Sequence, residues 1–190
     1  LVSIKAHAID KVLLFGDSVM AGYGLPSDQR LSVVLENDLK KSGHEIKVIN
    51  GSVSGSTSSG GLNRVDWTLS EPDIDLMILG LGANDMLRGI DPSETKKNLE
   101  NIILTAKDKN IEIVLAGMYA PTTHGVNYKN NFDNIYTSLS KKYDLTLIPF
   151  LLEGVALNPE LNQSDGMHPN YEGTLVVSKT IKETILEIKK

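Results

Sequence analysis

Residues 75–85 read Asp75-Leu76-Met77-Ile78-Leu79-Gly80-Leu81-Gly82-Ala83-Asn84-Asp85. A run this short and this continuously apolar, ending in glycines, has no side to turn toward water and reads as a strand, Asp75–Leu81, covered on both faces. Ile111–Met118 has the same character. Working outward, shorter strand candidates stand at Lys11–Phe15, Glu45–Asn50 and Leu145–Ile148. The segments between them have helical period. Leu31, Val34, Leu35 and Leu39 share one helical face, as do Leu99, Ile102, Ile103 and Ala106, and again Phe132, Ile135, Tyr136 and Leu139. Strands alternating with helices predict an α/β fold, its parallel strands joined by crossover helices.

Ser27 and Ser93 stand where N-caps are expected, and Gly43 after Lys40-Lys41 marks a helix stop. Tyr171 to Ile188 carries Leu175, Val177, Ile181 and Ile185 as the inner stripe of a closing helix. Trp67 and the helix before it are expected in the core.

Composition narrows the function. The chain has 190 residues, enough for one well-filled core, with 41% apolar and 23% charged residues, which argues against disorder and fibrous structure. A net charge of −5 with scattered cations leaves no footprint for nucleic acid. No apolar run is long enough to span a membrane, although transient contact with lipid substrates is allowed. There is no cysteine, so a thiol nucleophile, a disulfide framework and a thiolate metal site are all excluded. Ala6-His7-Ala8 has the small-x-small form of an export cleavage site, so residues 1–10 are read as the remnant of an export signal or a flexible N-terminus, and the location as periplasmic or secreted, with cytoplasmic the alternative.

In parallel α/β folds the loops after the strands gather at one sheet edge, where ligands bind. Those loops are Gly16–Gly24, Gly51–Gly61, Gly82–Asp91, Met118–Asn131 and Phe150–Asn170. Gly16-Asp17-Ser18 places a hydroxyl just past a buried strand, as a nucleophile requires. Ser164-Asp165-Gly166-Met167-His168 sets a carboxylate three residues from an imidazole, base and orienter together. Gly55 allows a backbone N–H to approach a ligand, and Asn84 offers an amide donor to a developing oxyanion. Taken singly, each is an ordinary turn. Together, four loops at one edge supply nucleophile, donors and acid–base pair, the parts list for acyl transfer. His7, His44 and His124 have no such company and are expected at the surface. Asp17 and Asp85 are expected to brace their own turns, and neither a metal nor a cofactor is expected.

Gly-Asp-Ser, a later Gly, Gly-x-Asn-Asp and Asp-x-x-His, in this order over nearly the whole chain, resemble the four blocks of the SGNH (GDSL) hydrolase superfamily. Within it, Asn50–Leu62, Gly80–Pro92 and Pro149–Asn170 are most similar to the bacterial thioesterase I, protease I, lysophospholipase and arylesterase group. The resemblance implies a single SGNH hydrolase domain over 1–190. It also implies a flavodoxin-like three-layer α/β/α sandwich with a five-stranded parallel sheet of order 2-1-3-4-5. The triad would be Ser18, Asp165 and His168, and the oxyanion hole the Ser18 and Gly55 N–H groups with the Asn84 amide.

The expected activity is hydrolysis of carboxylic esters and acyl thioesters through an acyl-enzyme, by a monomer or weak homo-oligomer. Met86, Leu87, Met118, Tyr119 and Phe150 are the apolar residues expected to contact the acyl group. A carbohydrate O-deacetylase using the same triad is the alternative. A nucleotide-binding protein fits less well, since Gly16–Gly24 has neither phosphate-loop pattern, and a catalytically dead interaction module fits least.

Overall fold

The computed structural model describes residues 8–189. Ala6 and His7 lie outside them. Five parallel strands, β1 (Lys11–Gly16), β2 (Lys47–Asn50), β3 (Leu76–Gly80), β4 (Glu112–Ala116) and β5 (Thr146–Ile148), form one sheet in the order β2-β1-β3-β4-β5. The predicted strands are all present, each shortened or lengthened by a few residues at its ends.

Helices α1 (Ser18–Ala21), α2 (Leu31–Lys41), α3 (Ser58–Thr68), α4 (Ala83–Leu87), α5 (Pro92–Asp108), α6 (Val126–Tyr143) and α7 (Tyr171–Ile188) follow in chain order among them. Because successive strand residues point to opposite faces, β1 sends Val12 and Leu14 to one side and Leu13 and Phe15 to the other. On the first side α2 and α7 contribute Leu35, Leu39, Val177, Ile181 and Ile185. On the second, α3, α5 and α6 contribute Val65, Leu99, Ile103, Phe132 and Leu139. The architecture is a three-layer α/β/α sandwich.

Five local expectations are corrected. Trp67 is 81% exposed. The buried positions of α3 are Ser58, Gly61 and Val65, and two residues beyond Val65 is about 200° round the helix, so the indole faces solvent. Ser27 opens a separate 3-10 turn, and α2 starts from Arg30 without a side-chain cap. Helix α5 is capped by Asp91, whose carboxylate accepts from the Ser93 N–H at 2.8 Å, with Pro92 at the first helical position. The end of the expected loop Met118–Asn131, from Val126 on, is nearly two turns of α6. Leu175, expected in the inner stripe of α7, is only half-buried, because it stands two residues and so about 200° round the helix from buried Val177. Gly43 does follow the end of α2 with φ +84°, and α7 spans the predicted residues.

Candidate active site

All five strands end at the same edge, and the loop after β1 is central because β1 lies between β2 and β3. Ser18 is the first residue of α1. Asp17 caps that turn, accepting from the Val19 N–H at 3.1 Å, and so braces its own turn as expected. The burial of Asp17 pushes its carboxyl up to about 6, against the Val19 N–H and the nearby His168, which pull it down.

Asp165 and His168 arrive on the long connection between β5 and α7. The carboxylate is pinned locally: its Oδ1 accepts the backbone N–H groups of Met167 and His168 at 2.9 and 3.0 Å, and its Oδ2 lies 2.6 Å from His168 Nδ1. These bonds, the His168 N–H first and its side chain next, hold Asp165 down to about 2. An ionised Asp165 keeps the proton on Nδ1, which leaves Nε2 with a lone pair. That Nε2 stands 2.8 Å from Ser18 Oγ, across 150 residues of chain. The three side chains form one continuous hydrogen-bonded line.

Two residues that sequence reasoning passed over set this line in place. Gln163 donates from Nε2 to the Tyr23 and Pro169 carbonyls at 2.7 and 2.9 Å, while its N–H donates to the His168 carbonyl at 2.7 Å, tying the histidine loop to the serine loop. Asn170 caps α7 by accepting the Gly173 N–H at 3.0 Å and donates to the Glu160 carbonyl at 2.8 Å. The N-cap signal before α7 could have identified Asn170. Gln163 carries no local signal. Tyr23 adds a ring contact, its centroid 4.7 Å from that of His168.

Gly55 and Asn84 flank the site from the loops after β2 and β3. A Cβ on Gly55 would meet open space, so its glycine is required by φ +78° rather than by crowding. Among the described residues no acceptor engages the Ser18 or Gly55 N–H. Asn84 donates one amide hydrogen to the Ser56 carbonyl at 3.2 Å, and its second is left for a ligand. Asp85 departs from expectation. Fully buried, it accepts from the Ser58 N–H at 2.8 Å, the Ser58 hydroxyl and the Thr95 hydroxyl at 3.2 Å. It therefore fastens the start of α3, and with it the Gly55 loop, to the Asn84 loop.

Of the apolar residues expected to contact an acyl group, Leu87 and Tyr119 are 56% and 46% exposed at the edge, and Phe150 packs on Tyr119 with ring centroids 5.0 Å apart. Met118 is half-buried between the two cores. Met86 is a correction: it turns inward on the single turn of α4 and is buried in the core. His124 is exposed and His44 half-buried. Among the described residues no three His, Asp or Glu side chains converge as metal ligands would, and no helix is long and apolar enough to cross a membrane.

A hydroxyl, an imidazole with a free lone pair, an ionised orienting carboxylate and adjacent unengaged N–H donors are what nucleophilic acyl transfer uses. Comparison with known proteins agrees. An arylesterase of Vibrio mimicus is 34% identical over 186 residues, covering 98% of this chain and 93% of that protein. A thioesterase 1/protease 1/lysophospholipase L1 of Escherichia coli K12 is 37% identical over 172 residues, covering 90% and 81%. The crystal structure of a psychrotrophic esterase EstA from a Pseudoalteromonas species, inhibited by monoethylphosphonate, superposes with a TM-score of 0.89 at 28% identity, covering 94% of this chain and 97% of that one. Residues 14–175 match the GDSL-like lipase/acylhydrolase family, and this chain belongs to it.

Proposed function

We propose that this protein is a serine hydrolase of carboxylic esters and acyl thioesters, with Ser18 as nucleophile, His168 as general base and Asp165 as the residue that orients the imidazole. One observation carries the assignment: Ser18 Oγ, His168 Nε2, His168 Nδ1 and Asp165 Oδ2 are linked by contacts of 2.8 and 2.6 Å. As Ser18 Oγ attacks the acyl carbon, its proton passes to Nε2, and Asp165 stabilises the resulting imidazolium without taking the proton. The oxyanion is received by the Ser18 and Gly55 N–H groups and the Asn84 amide. The leaving group then takes the proton from Nε2, and water, activated by the same imidazole, releases the acid from Ser18. The acyl part lies toward Leu87, Met118, Tyr119 and Phe150, whose apolar surface favours an alkyl chain over a sugar-bound acetyl group.

Ser18→Ala is expected to lower kcat for p-nitrophenyl butyrate by roughly 10⁴-fold or more, and Asn84→Ala by about 10²–10³-fold. Turnover by purified Ser18→Ala at the wild-type rate would remove the assignment, as would failure of a fluorophosphonate to label the wild type.

A further inference from the structure

Strand order divides the active edge into two unlike halves. The loops after β3 and β4 and the start of the connection after β5, which carry Leu87, Met118, Tyr119 and Phe150, lie on one side of Ser18, and the loop after β2 lies on the other. The far end of the β5 connection, with His168, is tied to Tyr23 by Gln163. On the β2 side a groove of about 410 Å³ opens between residues 21–24 and residues 50–54. Tyr23 and Arg30 line one bank, and Asn50, Ser52 and Ser54 the other, with no carboxylate among the described lining residues. The groove adjoins the reaction centre through two of its walls: the Tyr23 ring packs against His168, and Ser54 precedes Gly55.

Arg30 is held for use at this place. Its stem lies against Gly22, where an added Cβ would stand 2.7 Å from Arg30 Cγ, and its Nε donates to the Leu25 carbonyl at 3.4 Å. Among the described residues no carboxylate lies within ion-pair distance of it. The Ser52 hydroxyl is used within the fold, donating to the Leu14 carbonyl and accepting the Gly16 N–H, both at 3.0 Å. In a chain of net charge −5, the groove therefore holds an unpaired guanidinium with Tyr23 and Ser54 as its other hydroxyl-bearing walls.

The chemistry sets which part of a substrate enters. When the tetrahedral intermediate collapses, the bond from the acyl carbon to the leaving oxygen or sulfur breaks, and that atom takes the proton held on His168 Nε2. The leaving group thus departs on the imidazole side, past Tyr23. We propose that the groove is the leaving-group subsite and that it selects alcohols or thiols bearing a phosphate. The oxygens of that phosphate would be shared between the Arg30 fork and the hydroxyls of Ser54 and Tyr23. This deepens the acyl-transfer reading above and rests on it.

The test compares soluble hexanoyl esters and thioesters in matched pairs with and without phosphate: 1-hexanoylglycerol 3-phosphate against 1-hexanoylglycerol, and hexanoyl-coenzyme A against hexanoyl-pantetheine. The quantity read is the ratio of kcat/KM within each pair, for the wild type, Arg30→Gln and Arg30→Glu. Since Arg30 is solvent-exposed, the wild type is expected to favour a phosphate-bearing member by about 5–10-fold, less at high salt. Arg30→Gln should bring the ratio to about one, and Arg30→Glu should invert it. An Arg30-dependent preference in the glycerol pair identifies a lipid-type phosphate, and in the coenzyme pair a nucleotide thioester. No preference in either pair, or one that survives both substitutions, overturns the subsite. Ser18→Ala, run beside them, separates the two ideas: loss of all four activities there, with no effect of Arg30, sinks the groove and leaves the hydrolase standing.

Discussion

Asp17 stands beside the nucleophile with 3% of its surface exposed, and its titration has a consequence for stability. Burial raises its carboxyl from 3.8 to about 6. The folded state therefore holds the proton more tightly than the unfolded state does. Below the unfolded value both states are protonated and there is no cost. As pH climbs from there through about 6, ionisation of buried Asp17 increasingly opposes folding, by at most about 2–3 kcal/mol. Asp17→Asn keeps an oxygen for the Val19 N–H and cannot ionise. Its stability relative to wild type, from urea unfolding, should rise between about pH 4 and pH 7. A difference that stays constant across this range would show that Asp17 ionises without cost in the folded protein.

At the scale of elements, Arg64 of α3 joins the ends of two strands. Its Nη1 donates to the Gly51 carbonyl just past β2, and its Nη2 donates to the Gly16 carbonyl at the end of β1 at 3.0 Å. Its Nε is buried without an acceptor, and the guanidinium carbon lies over the Phe15 ring at 4.0 Å from the centroid. Gly16 leads into Ser18 and Gly51 into the Gly55 loop, so one side chain sets the spacing of nucleophile and oxyanion donor. Arg64→Ala should destabilise by about 1–3 kcal/mol, since the Gly51 carbonyl loses its donor while the Gly16 carbonyl keeps the Val53 N–H at 3.1 Å. Arg64→Lys should recover only part, because a single ammonium lacks the fork that reaches both. If the spacing matters for catalysis, kcat falls more than KM rises in both variants. Equal stability of all three proteins in thermal unfolding would deny Arg64 this role.

For the molecule as a whole, the two cores are opposite faces of one sheet, fed alternately by the residues of the same strands. Leu35 lies in one and Ile103 in the other, both fully buried. Leu35→Ala and Ile103→Ala should each cost about 2–5 kcal/mol, and because they share no neighbours the double variant should show roughly the sum. The loss of activity and of helical circular dichroism should coincide in urea for every variant. Separate transitions would mean that the two faces unfold independently.

The amino-acid sequence alone determined what depends on neighbours along the chain. Apolar runs located all five strands, helical period located the inner stripes of α2, α5 and α6 and, Leu175 apart, that of α7, and a spacing of three from Asp165 to His168 was enough to pair them through a turn. Ser18 was legible as the residue just past a buried strand. What needed the tertiary structure is whatever depends on how distant elements are set against one another. Closing 150 residues to bring His168 to Ser18, sending Asp85 to Ser58 instead of its own turn, and hanging two strand ends on Arg64 are all long-range pairings with no local pattern to announce them. Helix phase decided Trp67 and Met86 in the same way, because a large apolar side chain is buried only if its face of the helix meets the sheet.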